Sequence, residues 1–324
     1  MAAQTKKKLC LEDLTKDELR EIAKLEESYP YYRSLCLEEK EEKLLRYIAE
    51  VRAEKERQNV YDSYLEAALK KFKPKDLELY DLKKWKFDYV GVRFLSILEY
   101  LKKDHTELKG EILKPLEEVL DGVFRFPMLE EKFACRLLTE VAYFQDWCKK
   151  AGHQIVRPNS MNNYGAILDH FGFKTALSDL VSSVIQPLAN RLFRPEFAKK
   201  YGLDSHHGFL VEYEPGKDTN LDFHRDDSEI TLNLCLGRQF QGGDLYFGGV
   251  RCSNCREVPP YSYEEKYVQH EPGVALLHLG AHRHAATSIK KGIRRNLILW
   301  CNSSGFRKNK STKKDCPVWC GARS

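Results

Sequence analysis

The sequence predicts an α+β protein in which a helical first part precedes a strand-rich second part. Three features carry that prediction. The first ~120 residues interleave lysine and glutamate with apolar residues at helical spacing. Two further amphipathic stretches lie between residues 128 and 193. From His207 to Asn302 the chain breaks into runs of four to eight β-branched, aromatic or aliphatic residues, closed by glycine, proline or aspartate. Short strands so spaced suggest a sandwich or barrel.

The elements follow in order. Leu14, Leu19, Ile22 and Leu25 share one face of a first helix, and Thr15 and Glu18 stand at capping-box spacing before it. Leu44, Leu45, Ile48 and Val51 mark a second helix. This part carries no clustered His, Asp or Cys, so it is expected to pack or to dock a partner. The boundary is placed just before Asp121, giving a helical region over 1–120, a second domain over 121–305 and a basic, cysteine-containing tail over 306–324. VFRFP (123–127) reads as a strand. A long helix is expected from Met128 to Lys150, with Phe133, Leu137, Leu138, Val141 and Phe144 on one side. A loop holding Pro158 and the pair Asn162 and Asn163 leads to a helix from Lys174 to Phe193. Then come GFLVEYEPG, LDFHRDD, EITLNLCLG, GGDLYFGG, GVALLHLG, HAATSIKKG and RRNLILWCN, each a strand followed by turn chemistry. No internal repeat or low-complexity tract interrupts them.

Composition narrows the class. With 324 residues, 42% hydrophobic and 31% charged, the chain is neither a disulfide-stapled mini-domain nor a disordered segment. A net charge of +5 is too small over this length to argue for nucleic acid. From Lys290 to Ser324, however, ten Lys and Arg face one acid, Asp315, a local excess of nine. Such a basic end is either a solvated tail or a contact for an acidic partner such as nucleic acid or chromatin. No apolar run approaches the ~20 residues of a membrane span, and the opening MAAQTKKKLCLEDL has no secretory pattern. An intracellular site, cytoplasmic or nuclear, is expected, with no membrane partner. The ten cysteines are read as thiols or metal ligands.

One group of residues suggests chemistry. His224 and Asp226 are two apart, so an extended backbone points both side chains to one face. A histidine-rich strand follows at His278-Leu-Gly-Ala-His282-Arg-His284. Two histidines and a carboxylate that leave other positions open are the ligand set of non-haem Fe(II) oxygenases. Asp226 and His284 lie 58 residues apart, enough chain to travel round a barrel and return. Asp227 falls on the opposite face from His224 by strand parity, whereas parity permits both His282 and His284. His278 reads as buried within ALLHLG, and His206 and His207 as structural or surface residues. Ten residues beyond His284 stands Arg294. If Lys290, Lys291 and Gly292 form a three-residue hairpin loop, Arg294 shares a sheet face with His284, roughly 13 Å along the strand at ~3.3 Å per residue. A dicarboxylate plus the arginine stem fills that gap, and the planar guanidinium suits a carboxylate.

On the motifs YEPG (213–216), HRD (224–226), GGDLYF (242–247), HLGAHRHAA and GIRRNLILW, the sequence resembles the iron and 2-oxoglutarate dependent oxygenases of the prolyl-hydroxylase type. VYDSYLEAAL, RPNSMNNYG, LDSHHGFLVEYEPG and LYFGG are similar to animal 2-oxoglutarate and iron-dependent oxygenase domain-containing proteins. LWCNSSGFRKN is similar to plant PKHD-type hydroxylases, some of them linked to chromatin. The resemblance covers about 120–305 with a patch near 60–69 and leaves 1–59 unmatched.

It implies a double-stranded β-helix, or jelly roll, with supporting helices. His224, Asp226 and His284 would hold Fe(II), and Arg294 would pair with the distal carboxylate of 2-oxoglutarate. Tyr213 would line the cosubstrate pocket, as would Thr231 and Asn233, which alternate with Cys235 on one face of ITLNLCLG. The family often has a tyrosine near this strand, which is absent here. The implied reaction couples oxidative decarboxylation of 2-oxoglutarate by O2 to hydroxylation or demethylation, with ascorbate dependence and a protein substrate. The competing readings are a non-catalytic jelly-roll scaffold that binds a partner, and a cupin-like metal enzyme that does not use 2-oxoglutarate. SMNNYG either lines the pocket mouth or simply builds a turn.

A second group is Cys252-x-x-Cys255 with Cys316-x-x-x-Cys320. Four thiolates satisfy a tetrahedral structural zinc, although the second half is unusually spaced and the halves lie about sixty residues apart. Reduced, unligated thiols are the alternative. Cys10, Cys36, Cys135, Cys148 and Cys301 read as ordinary thiols.

Overall fold

The computed structural model describes residues 10–28, 30–85, 94, 97, 116–193, 201–237, 239–309, 316 and 320–322. The chain divides into two units, residues 1–71 and 72–324.

The first unit is helical. It contains α1 (Lys16–Ser28), the short α2 (Pro30–Arg33) and α3 (Leu37–Leu69). The capping box forms as expected: Thr15 N–H donates to Glu18 Oε2 (2.8 Å) and Glu18 N–H donates to Thr15 Oγ1 (3.3 Å). Ile22, Leu44 and Ile48 are buried together, with Leu14, Leu25, Tyr32 and Tyr47 packed around them.

The second unit begins with a hairpin of β1 (Glu117–Leu120) and β2 (Val123–Pro127). The boundary expected before Asp121 therefore falls in the turn of this hairpin. α4 (Glu131–Ala151) buries Phe133, Leu137, Val141 and Phe144 on one face as its periodicity predicts, while Leu138, expected with them, is only half-buried. Its buried Glu140 is satisfied by three donors: the N–H groups of Lys75 (3.0 Å) and Asp76 (3.2 Å) and the Tyr80 hydroxyl (3.0 Å). The helix expected over 174–193 is continuous but changes pitch. It runs as α5 (Lys174–Leu180), a π turn (Val181–Ile185) and α6 (Gln186–Leu192). Pro187 lacks an N–H, and the ladder resets just before it, with Gln186 N–H donating to Val181 O.

The remaining strands are β3 (Gly165–Ile167), β4 (Ser205–Tyr213), β5 (Leu221–His224), β6 (Ile230–Cys235), β7 (Phe240–Gly242) and β8 (Leu245–Val250). They continue as β9 (Glu265–Val268), β10 (Val274–Leu279), β11 (His282–Ala286), β12 (Ile289–Gly292) and β13 (Arg294–Asn302), before a last helix, α7 (Ser304–Asn309). A seven-stranded sheet has the order β1-β2-β10-β6-β13-β4-β3 and a four-stranded sheet the order β5-β11-β8-β9. All the ladders are antiparallel. From β4 onward the chain switches between these two sheets, which makes the core a double-stranded β-helix. Phe209, Val211 and Tyr213 of β4, Leu245 and Phe247 of β8, Leu276 of β10 and Ile298 of β13 form one buried core with residues of both sheets.

Two expected strand arrangements are not found. His278 and His284 do not share a strand, because a turn at Gly280 separates β10 from β11 and sends them to different sheets. Nor does the hairpin around Lys290 and Lys291 form. β12 pairs with β7, and Arg294 lies opposite Tyr213 of β4. Gly292 sits at φ +79, where a Cβ would lie 2.0 Å from Gln239 O, so the backbone can turn out of β12 there only without a side chain.

Candidate metal centre

The register of β5 on β11 sets His224 directly opposite His284, and their ring centroids are 4.4 Å apart. Each ring is oriented by its far nitrogen. His224 Nδ1 donates to Asp222 O (2.7 Å) and His284 Nδ1 to His282 O (3.0 Å), which leaves both Nε2 atoms unprotonated in the neutral rings.

Asp226 reaches the pair differently from what strand parity suggested. It lies two residues beyond the end of β5, where its N–H donates to Gly280 O (3.0 Å). Its Oδ2 accepts from Thr231 Oγ1 (2.6 Å), and the Thr231 hydroxyl is also bonded to Ser228 Oγ (2.7 Å). Oδ1 is thereby turned to His224 Nε2 (3.4 Å) and His284 Nε2 (3.8 Å). These three groups offer ligand atoms within 4.8 Å of one another. Burial favours neutral Asp226, but the imidazoles of His284 and His224 outweigh it and hold the carboxyl below its usual range. Burial pushes His284 down to about 3, whereas at His224 burial is outweighed by Asp226, which raises it. A carboxylate and two neutral-imidazole nitrogens are the donor set that a hard-to-borderline divalent cation such as Fe(II) takes.

The neighbouring candidates separate clearly. Asp227 has its side chain 83% exposed and pairs with Arg307 (3.1 Å). His282 packs edge-on against Phe247 and stays outside the ligand group. His278 is wholly buried and donates through Nδ1 to Leu279 O (2.9 Å). His206 and His207 bond to Ser178 and Pro158.

The three groups open onto a narrow cavity, part of it open to solvent. Arg294 lines the same cavity from the facing sheet, not from the sheet of His284. It is only 1% exposed. Its Nη1 donates to Gly243 O, its guanidinium stacks over the Tyr213 ring (4.5 Å), and its Nε has no partner. Among the described residues no carboxylate forms an ion pair with it, and the nearby acid that acts on it, Asp244, does so without contact. Tyr213 is also buried and accepts from Asn162 Nδ2 (3.1 Å). SMNNYG was expected either to line the pocket mouth or to build a turn: Asn159, just before the motif, accepts through Oδ1 from the N–H groups of Met161 and Asn162, and Met161 and Asn162 line the cavity.

Thr231 and Asn233 line the cavity, while Cys235 does not. Sequence reasoning missed Asn296, whose Nδ2 donates to Asn233 Oδ1 (2.6 Å) and to His270 Nδ1 (3.0 Å) while its buried Oδ1 has no partner. The signal was its place two residues after Arg294 on one strand face. The basic end is less free than its count suggests. Arg294 is buried, Arg295 pairs with Glu212 (2.6 Å) and Arg307 with Glu229 (3.0 Å). Lys310, Lys313, Lys314, Asp315 and Arg323 lie outside the described residues.

The four cysteines also converge. Cys252 Sγ and Cys255 Sγ stand 3.8 and 3.6 Å from Cys316 Sγ, and the Cys252 N–H donates to Cys320 Sγ (3.3 Å).

A double-stranded β-helix with a His-x-Asp…His triad at one cavity defines a class of jelly-roll proteins built around a divalent metal site. Residues 68–198 match the family described as an OGFOD2-like domain. The chain is 47% identical over 209 residues to the 2-oxoglutarate and iron-dependent oxygenase domain-containing protein ICU11 of Arabidopsis thaliana, covering 63% of this chain and 51% of the relative. It is 35% identical over 241 residues to 2-oxoglutarate and iron-dependent oxygenase domain-containing protein 2 of Danio rerio, covering 72% and 64%. Procollagen-lysine,2-oxoglutarate 5-dioxygenase 2 of Mus musculus is 24% identical over 204 residues, 60% of this chain and 25% of that relative. Over these stretches the chain is similar to 2-oxoglutarate and iron-dependent oxygenase domain-containing proteins, and it spans about half the length of the plant relative. Among the described residues no helix is long and apolar enough to cross a membrane.

Proposed function

We propose that this chain is an Fe(II)- and 2-oxoglutarate-dependent dioxygenase. His224 and His284 through Nε2 and Asp226 through Oδ1 would hold Fe(II), and Arg294 would take the distal carboxylate of 2-oxoglutarate. The observation that carries the reading is the buried Arg294 guanidinium, without a carboxylate partner among the described residues, on the wall of the cavity onto which the triad opens. A buried cation without a carboxylate partner costs several kcal/mol, and an anionic cosubstrate supplies the missing charge. Tyr213 holds the guanidinium plane, and Asn233 and Asn296 offer amide groups on the same wall.

When bound, Fe(II) supplies the activation of O2 that decarboxylates the keto acid and hydroxylates a C–H bond. The chain's own groups supply position and dryness. Thr231 keeps Oδ2 of Asp226 occupied, the carbonyls of Asp222 and His282 hold the ring protons, and Phe209, Leu245 and Ile298 line the cavity with apolar surface. Because the metal must stay ferrous, ascorbate is expected to support turnover. The procollagen-lysine relative, by its name, acts on a protein side chain, which supports a protein residue as the substrate here. Whether the product is a stable hydroxyl or a demethylated group depends on that residue. A cytoplasmic or nuclear setting fits a reduced metal and ten unpaired thiols.

The test is succinate release from purified protein supplied with Fe(II), ascorbate and 2-oxoglutarate. Turnover without added substrate that disappears in His224→Ala, with the fold retained by circular dichroism, supports the enzyme. Protein that neither binds Fe(II) nor releases succinate would instead be a scaffold.

A further inference from the structure

We propose that Cys252, Cys255, Cys316 and Cys320 bind one structural zinc ion, which clips the end of the chain to the connection after β8. The site is separate from the triad, and the proposal stands whether or not the chain is an oxygenase.

The geometry carries the argument. All four sulfurs lie within 4.8 Å of one another. A disulfide would need about 2.0 Å between sulfurs. A tetrahedral zinc with Zn–S near 2.3 Å places its sulfurs roughly 3.8 Å apart. The observed Cys252–Cys316 and Cys255–Cys316 separations are 3.8 and 3.6 Å, the spacing of thiolates around one ion. Four thiolates closed around a zinc leave no open position, so the ion would be structural. The Cys252 N–H on Cys320 Sγ stabilises that sulfur as a thiolate.

The surroundings are built to seat the second half of the site. Gly321 N–H donates to Val250 O (2.9 Å) at the end of β8. A Cβ at Gly321 would meet Glu264 Oε1 at 2.5 Å. That carboxylate is held in a two-point pair by the fully buried Arg251, whose Nη1 and Nη2 each lie 2.6 Å from it. Residues 320–322 therefore lie on a rigid polar platform beside Cys252. The clip would also brace the back of the triad. Arg225, between His224 and Asp226, donates to Arg251 O (3.1 Å). Arg283, between His282 and His284, donates to Val258 O (2.7 Å) and Arg256 O (3.2 Å).

The test is made in full-length His224→Ala protein, so that metal at the triad does not count. Elemental analysis of protein purified under reducing conditions should return one zinc per chain. Replacing zinc with Co(II) should give the intense visible bands and thiolate charge transfer of tetrahedral sulfur coordination. Cys316→Ser with Cys320→Ser should remove both signals, and a strong chelator should lower Tm in the parent but not in this variant. Reduced protein containing less than a tenth of an equivalent of zinc, or a Co(II) adduct without thiolate charge transfer, overturns the proposal even if the serine variant fails to fold.

Discussion

At the scale of single residues, the candidate site depends on what each side chain does with its second polar atom. Thr231 was expected to face the cosubstrate, and it does line the cavity, but its hydroxyl is committed to Asp226 at 2.6 Å. Thr231→Val removes that donor at nearly constant volume and frees Oδ2. Loss of such a supporting hydrogen bond commonly weakens metal binding roughly 10- to 100-fold. The expected result is weaker Mn(II) binding by titration, with the fold unchanged by circular dichroism; unchanged Mn(II) affinity would contradict this role for Thr231. Arg294 gives the complementary prediction. A charge-assisted pair is worth about 1.5–3 kcal/mol, so Arg294→Ala should raise the KM for 2-oxoglutarate roughly 10- to 150-fold. Arg294→Lys keeps the charge but not the fork and should fall between. A KM unmoved by either change would favour a metal enzyme that does not use 2-oxoglutarate.

At the scale of elements, most strand segments were legible because β-branched and aromatic runs end in glycine or proline; each quoted run overlaps a strand, but HAATSIKKG joins the end of β11 to β12, and β9 lies in none of them. Their pairing was less so. Local alternation cannot tell whether ALLHLG and HRHAA continue one strand or turn between sheets, and it cannot show that β12 pairs with β7. The deciding signal was Gly280. A Cβ there would sit 2.0 Å from Ser228 O and 2.4 Å from Ser228 Oγ, so the β10–β11 turn lies directly on the loop that carries Asp226. The convergence of His224, Asp226 and His284 was readable from types and spacing, although Asp226 joins the two histidines from a loop beyond β5 and not by strand parity. Gly280→Ala forces that loop away and disturbs the Asp226 N–H anchor. Overpacking of this kind costs about 1–3 kcal/mol. The expected outcome is a lower denaturation midpoint together with weaker metal binding; loss of neither would mean that the turn and the loop move independently.

At the scale of the whole molecule, the two units differ in how much apolar surface they bury for their length. In residues 1–71 the described core is Ile22, Leu44 and Ile48. At about 1.5–3 kcal/mol per buried aliphatic side chain, three such residues offset little of the ~1–2 kcal/mol per residue that ordering the backbone of a 33-residue helix requires. In 72–324 the two sheets enclose a continuous core, and β6 is buried at all six positions. Stability should therefore be graded along the chain. Native-state hydrogen exchange should show amides of α3 opening at low free energy, while those of β6, β10 and β13 open only with global unfolding. Adding a redox-inert divalent metal with 2-oxoglutarate should slow exchange at β5 and β11, which carry His224 and His284, and leave α3 unaffected. Equal protection in α3 and β6 would show that the chain unfolds as one cooperative body and that the small helical core is not its weak point.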